Sequence, residues 1–297
     1  METDIVTAVF LPLALAFIMM GMGLTLSLQD FSRVLKYPRA ASLGLVNQLI
    51  LLPLVGFAVA SVFPLSPELA VGIMVLAACP GGPTSNMISF LCRGDVALSI
   101  SLTAVSSVAA VITVPIVVNL SLFHFMAYDE AMRLPVWDSV FKILLITLVP
   151  TLGGMLIRYR WPQVTRKSLG FVQAASIVLF AVVLLGAILS QKESLPEFFR
   201  QVGWAMFALN VLTMAVGFLS ARLFLLNMRQ GYTITLETGL QNGTLAITIA
   251  ASPILLGNPT MAIAPAIYSL IMFMTASVMI LISRTRFGPS RLPVEKS

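Results

Sequence analysis

Long apolar runs alternate along this chain with short clusters of charged, glycine and proline residues. An α-helix rises 1.5 Å per residue, so runs of roughly 17 to 25 residues match the hydrocarbon thickness of a bilayer. The pattern predicts nine membrane spans, at residues 5–27, 41–63, 68–92, 96–123, 138–157, 169–190, 202–226, 233–256 and 260–283. Two of them are too polar at mid-length for ordinary helices. The third carries Cys79-Pro-Gly-Gly-Pro-Thr-Ser-Asn86, where two prolines remove backbone donors and two glycines loosen the chain, so a break is expected there. The eighth carries Glu237-Thr-Gly-Leu-Gln-Asn-Gly243, with glycines spaced for a similar unwinding.

Composition agrees with the pattern. The 297 residues are 58% hydrophobic and 10% charged, which fits a polytopic helical membrane protein and excludes a soluble domain. A net charge of +6 would point to nucleic acid in a soluble protein; here the basic residues sort by loop instead. Loops holding Arg33, Lys36 and Arg39, then Arg93, then Arg158, Arg160, Arg166 and Lys167, then Arg229, and a tail with Arg284, Arg286, Arg291 and Lys296 fall on one side. The other side has Arg133, Lys192 and Arg200, diluted by Asp129, Glu130, Glu193 and Glu197. The positive-inside rule then places the amino terminus outside and the carboxyl terminus in the cytoplasm of a multi-pass cell-membrane protein. The start lacks the basic region of a secretory signal, so residues 5–27 are read as the first span. Cys79 and Cys92 fall in one span, about 20 Å apart if helical, too far for a disulfide.

Glu237 is the candidate functional residue. A carboxylate at bilayer depth costs several kcal/mol unless a cation or dense hydrogen bonding compensates it. Spans three and eight are five apart and therefore cross in opposite senses, the mark of an inverted repeat. Both breaks end in an amide-bearing step, Ser85-Asn86 and Gln241-Asn242, and the preceding spans carry Asn47-Gln48 and Asn210. Broken helices offer bare carbonyl oxygens at one half-helix end and N–H groups at the other, which suits ions and anionic substrates. Ser99 and Thr103, at i and i+4, share one helix face.

At these residues the chain resembles the bile acid:sodium symporter family. The likeness runs from Gly21-Met-Gly-Leu-Thr-Leu26 and Asp30-Phe31, through Cys79-Pro-Gly-Gly, Ser85-Asn86 and Arg93-Gly-Asp-Val-Ala-Leu-Ser99, to Glu237-Thr-Gly-Leu-Gln-Asn242. The resemblance implies an all-α polytopic fold with an inverted repeat, two crossed discontinuous helices, and core and panel domains. Residues 1–123 would form a first repeat of four spans lacking the family's first helix, 124–284 a second of five spans, and 285–297 a cytoplasmic tail. It also implies two sodium sites: one from the side chains of Ser85, Asn86, Ser99, Thr103 and Glu237, the other from Gln48, Glu237, the carbonyls of Thr238 and Leu240, and Gln241. Such all-oxygen sets suit Na⁺, a hard cation. The substrate, an organic anion such as a bile acid-like, pantoate-like or keto acid, would meet Thr84, Asn86, Asn242 and Ser269. Two departures stand at that end. Met272-Phe273 replaces a His-Asn pair of bacterial relatives, and Pro83 replaces a frequent Thr.

The expectation is a sodium-coupled symporter, not an enzyme, with Na⁺ as coupling ion, no cofactor, and a lipid bilayer rather than nucleic acid as its surroundings. One carboxylate shared by two sodium ions leaves about +1, which favours a monovalent anion. The alternatives are a proton-coupled organic anion carrier, an oxyanion efflux carrier using Cys79, and an intramembrane enzyme. The lone His124 lies near a span end beside Phe and Met, and is read as interfacial, as are Trp137, Trp161 and Trp204.

Overall fold

The computed structural model describes residues 2–126, 135–190 and 195–287. Asp129, Glu130, Arg133, Lys192, Glu193, Arg291 and Lys296, used above to sort charge, lie outside the described residues. The helices are α1 (Glu2–Gly23), α2 (Leu28–Lys36), α3 (Pro38–Val46), α4 (Leu52–Val62), α5 (Pro67–Ala78), α6 (Pro83–Leu91) and α7 (Val96–Phe125), followed by α8 (Val136–Ile143), α9 (Val149–Arg160), α10 (Pro162–Leu189), α11 (Leu195–Leu223), α12 (Met228–Gly239), α13 (Gly243–Ala251) and α14 (Ile263–Phe287). The protein is an all-α polytopic membrane protein. Six helical stretches among the described residues are long and apolar enough to cross a membrane, and up to eight if each bent pair is one span.

Two stretches contain a wide turn. A π turn at Asn47–Leu51 joins α3 to α4, and another at Leu144–Leu148 joins α8 to α9. Pro53 and Pro150 follow directly. Each proline lacks the N–H for the usual i−4 bond, and the chain answers with i−5 bonds, from Leu52 N to Asn47 O and from Val149 N to Leu144 O. The first of these turns holds Asn47 and Gln48 buried in the protein.

Basic segments that read as loops are helical instead. Arg33 and Lys36 lie on α2, Arg39 in α3, Arg166 and Lys167 in α10, and Arg229 in α12; Trp161 alone separates α9 from α10. Apolar periodicity marks only what lipid or core covers, so polar helix continuing beyond the membrane reads as loop. α14 likewise continues to Phe287, past the boundary at 284. Asp30 closes α2 at its start by accepting from Ser27 N and Ser27 Oγ, and pairs with Arg33 at 2.7 Å.

Helix association in lipid rests on close packing and interhelical hydrogen bonds. α1 packs on α9 and α10. A Cβ on Gly23 would lie 2.0 Å from Thr151 O, and one on Gly154 would lie 2.2 Å from Met20 O, so this reciprocal contact admits glycine only. Arg158 crosses from α9 to donate to Thr25 O. The α10 window is 17% buried against 50% for α7 and for the stretch containing α11, which puts α10 at the periphery and α7 and α11 inside.

Candidate functional site

The sequence expectation of two breaks holds. α5 stops at Ala78 and α6 starts at Pro83, bent by 65°. α12 stops at Gly239, Leu240 is extended, and Asn242 caps the start of α13. The breaks meet: Asn242 N donates to Pro80 O at 2.9 Å, and an ideal Cβ on Gly82 would stand 3.6 Å from the Asn242 side chain. Their carbonyls are taken up by side chains rather than left bare. Gln48 Nε2 donates to Cys79 O at 2.9 Å, Gln241 Nε2 to Thr238 O at 2.9 Å, and both Asn210 Nδ2 and Tyr268 OH to Gly239 O at 2.9 Å. Cys79, at the first break, and Cys92, just after α6, are free and buried.

α7 and α12 run side by side in register. Asp95 N donates to Thr233 Oγ1 at 2.8 Å, and Thr233 Oγ1 lies 3.2 Å from Asp95 O. One helical turn on, Ser99 Oγ donates to Glu237 Oε1 at 2.5 Å. Both rungs join residues 138 apart, so the helices are parallel and the first fixes the second. The Arg93-Gly-Asp turn makes this possible. Arg93 has φ 56°, Gly94 N returns to Ser89 O at 2.8 Å, and a Cβ on Gly94 would stand 2.6 Å from Thr233 Oγ1. Asp95 then caps α7 by accepting from Leu98 N at 3.1 Å.

Around Glu237, itself 4% exposed, oxygen gathers from three helices, α6, α7 and α12. Thr103 Oγ1 donates to Glu237 Oε2 at 3.0 Å. Ser99 Oγ is also 2.8 Å from Asn86 Oδ1 and 3.2 Å from Ser89 Oγ, and Thr103 Oγ1 is 3.3 Å from Asn86 Oδ1 and 3.5 Å from Ser85 Oγ. A hydroxyl has one proton. Two protons, from Ser99 and Thr103, thus face both carboxylate oxygens and the Asn86 oxygen, while Ser85 gives its own to Gly82 O at 2.9 Å. A monovalent cation satisfies such an excess of oxygen. The cluster closes directly over Gly81, where a Cβ would come within 2.8 Å of Glu237 Oε2, 3.2 Å of Ser85 Oγ and 3.6 Å of Thr103 Oγ1. Among the described residues no basic side chain pairs with Glu237; the ion pairs are Arg33–Asp30 and Lys142–Asp138.

The first expected ligand set, Ser85, Asn86, Ser99, Thr103 and Glu237, is therefore brought together. Of the second, Gln48 and Gln241 meet at 2.7 Å and Thr238 O joins them through Gln241, with Leu240 at the same break. The hydrogen bonds of Glu237 itself go to the first set. Of the expected anion contacts, Asn242 caps α13 by accepting from Leu245 N at 3.0 Å. Ser269 Oγ lies 2.1 Å from where a Gly243 Cβ would stand and donates to Pro265 O at 2.8 Å. Thr84 is half-buried at the start of α6. Asn86 belongs to the oxygen cluster rather than to the α13 start. Met272 is buried and the half-buried Phe273 meets Phe180 of α10 edge-on at 6.0 Å. Sequence reasoning missed Ser89, one turn beyond Ser85 on α6; the four-residue spacing of the two serines was the available signal.

A match to the model of the sodium bile acid symporter family covers residues 12–197. This chain belongs to that family. It is 28% identical over 290 residues to a probable sodium/metabolite cotransporter, BASS2, chloroplastic, of Oryza sativa subsp. japonica, covering 98% of this chain and 66% of that protein. Similarity extends to the uncharacterized sodium-dependent transporter YocS of Bacillus subtilis, 28% identical, covering 88% of this chain and 78% of the relative. The human ileal sodium/bile acid cotransporter is 29% identical, covering 83% of this chain and 70% of its own length.

Proposed function

We propose that this chain is a sodium-coupled secondary transporter that imports an organic anion and catalyses no reaction. The observation that carries the reading is the buried carboxylate of Glu237, set among hydroxyl and amide oxygens that outnumber their protons. Ser85, Asn86, Ser99, Thr103 and Glu237 hold one Na⁺. Gln48, Gln241 and the carbonyls of Thr238 and Leu240 hold a second, with Glu237 as shared counter-charge. The printed names of the rice, Bacillus and human relatives support sodium dependence. The chain spans the membrane nine times, the eighth span being the α12–α13 pair, with the amino terminus outside. It is organised as two inverted repeats, 1–123 and 124–284, with core and panel domains and a cytoplasmic tail. α1, α9 and α10 make the panel.

Thr84, Asn86, Asn242 and Ser269 contact the anion. Met272 and Phe273, which follow Ser269 on α14, support a substrate with an apolar body. Two Na⁺ with one monovalent anion carry net charge inward, worth about 2.3 kcal/mol per elementary charge per 100 mV, so uptake is electrogenic. Counterflow of labelled bile acids, hydroxy acids and keto acids into proteoliposomes, titrated with sodium at clamped potential, tests the reading. Saturable uptake with a sodium stoichiometry above one is expected. Equal uptake in choline and sodium media refutes it, and uptake driven by a proton gradient alone replaces it with proton coupling.

A further inference from the structure

A cavity of about 590 Å³ lies between α11, α12 and α14, away from the oxygen cluster. We propose that it binds an anionic phospholipid, with an acyl chain along the groove and the phosphate on Arg222. The walls are apolar and open sideways: Phe207, Val211 and Phe218 of α11 and Val278 and Ile282 of α14 line it while remaining 43% to 54% exposed. These are outward faces of membrane helices, so what enters is drawn from the lipid and not from water. The floor is α12, where Thr235 gives its hydroxyl proton to Gly231 O at 2.8 Å and presents no free donor.

One end of this trough is cationic. Arg222 lies with its guanidinium carbon 5.2 Å from the Phe218 ring centroid and Nη2 3.6 Å from Met228 Sδ, and among the described residues it has no carboxylate partner. Asn227 lines the same end; its Oδ1 is committed to Gln230 N at 3.0 Å, which leaves its amide N–H groups as donors. A guanidinium without a carboxylate partner among the described residues, with an amide beside it and closing an apolar trough, matches a phosphate ester with an acyl tail and not a choline headgroup, whose own cation would stand against Arg222. Thr235 and Glu237 are two residues apart and face opposite sides of α12, so bound lipid presses on the half-helix that carries the carboxylate.

The test is native mass spectrometry of the delipidated full chain titrated with phosphatidylglycerol or phosphatidylcholine. The wild type should retain phosphatidylglycerol preferentially. Arg222→Gln should weaken it about fivefold, the equivalent of about 1 kcal/mol per basic residue at an anionic surface, and leave phosphatidylcholine unchanged. Val278→Trp, which fills the groove and keeps the charge, should lose phosphatidylglycerol too, and so guards against a folding defect in the first variant. Equal retention of the two lipids by the wild type, or of phosphatidylglycerol by wild type and both variants, overturns the proposal. Displacement by inorganic phosphate at the same concentration overturns it as well, since the acyl chain would then contribute nothing.

Discussion

Replacing Glu237 by Gln separates the carboxylate's charge from its shape. The amide is the same size; its NH2 can donate to one of Ser99 Oγ and Thr103 Oγ1 while its oxygen accepts from the other, the two hydroxyls now standing 2.5 Å and 3.0 Å from the carboxylate oxygens. The fold should therefore tolerate the change, and the sodium-free variant should be as stable as the wild type or more so, because no ionised group remains buried. Sodium loses its counter-charge. At 4 Å and an effective dielectric of 20 the lost attraction is about 4 kcal/mol, about a thousandfold in affinity. The assay is thermal unfolding in detergent, in NaCl and in choline chloride. Wild type at about 100 times its dissociation constant should gain about 2.7 kcal/mol from sodium, and Glu237→Gln should gain nothing measurable. A sodium-dependent shift that survives in Glu237→Gln would refute the reasoning, as would a large loss of stability in choline, which would make the carboxylate a structural group.

Gly81→Ala should weaken sodium stabilisation while the helices stay assembled, because its methyl would sit 2.8 Å from Glu237 Oε2 and push the carboxylate off its hydroxyl partners; unchanged sodium stabilisation in the same thermal assay would refute this. Gln48→Ala should weaken the second ion alone, lowering the Hill coefficient of sodium-driven uptake toward one without ending uptake. Thr233→Ala removes the side-chain acceptor of Asp95 N, which keeps Arg229 O at 3.3 Å, and should cost about 1 kcal/mol in unfolding free energy, with Thr233→Ser close to wild type; equal stability of all three proteins would show the rung to be idle.

The long apolar helices were largely legible because hydropathy reports directly on lipid contact. The run at 96–123 corresponds to α7, and the run at 202–226 to α11. The breaks were legible from proline and glycine, which act through local backbone chemistry. What stayed hidden depends on partners from distant sequence. The π turn that holds Gln48 buried follows from Pro53, yet nothing local says that the helix widens instead of kinking. Ser89 looks like any helical serine until α7 brings Ser99 within 3.2 Å. The pairing of Asp95 with Thr233 could not be read at all, since both residues have plausible local uses as a cap and a back-bonded hydroxyl.

The two parallel rungs between α7 and α12 also bear on biogenesis. α12 and α13 are not among the helices apolar enough to cross a membrane alone, and Glu237 is part of the reason. The groups that accept this polar segment, Asp95, Ser99 and Thr103, are synthesised about 130 residues earlier, on a helix that is apolar enough to insert unaided. α7 must then wait in the bilayer with its hydroxyls bonded to its own preceding turn until α12 leaves the ribosome and exchanges those bonds for the carboxylate. Assembly of the oxygen cluster around Glu237 is thus a late step in the chain's synthesis, and a chain truncated before residue 237 would lack it.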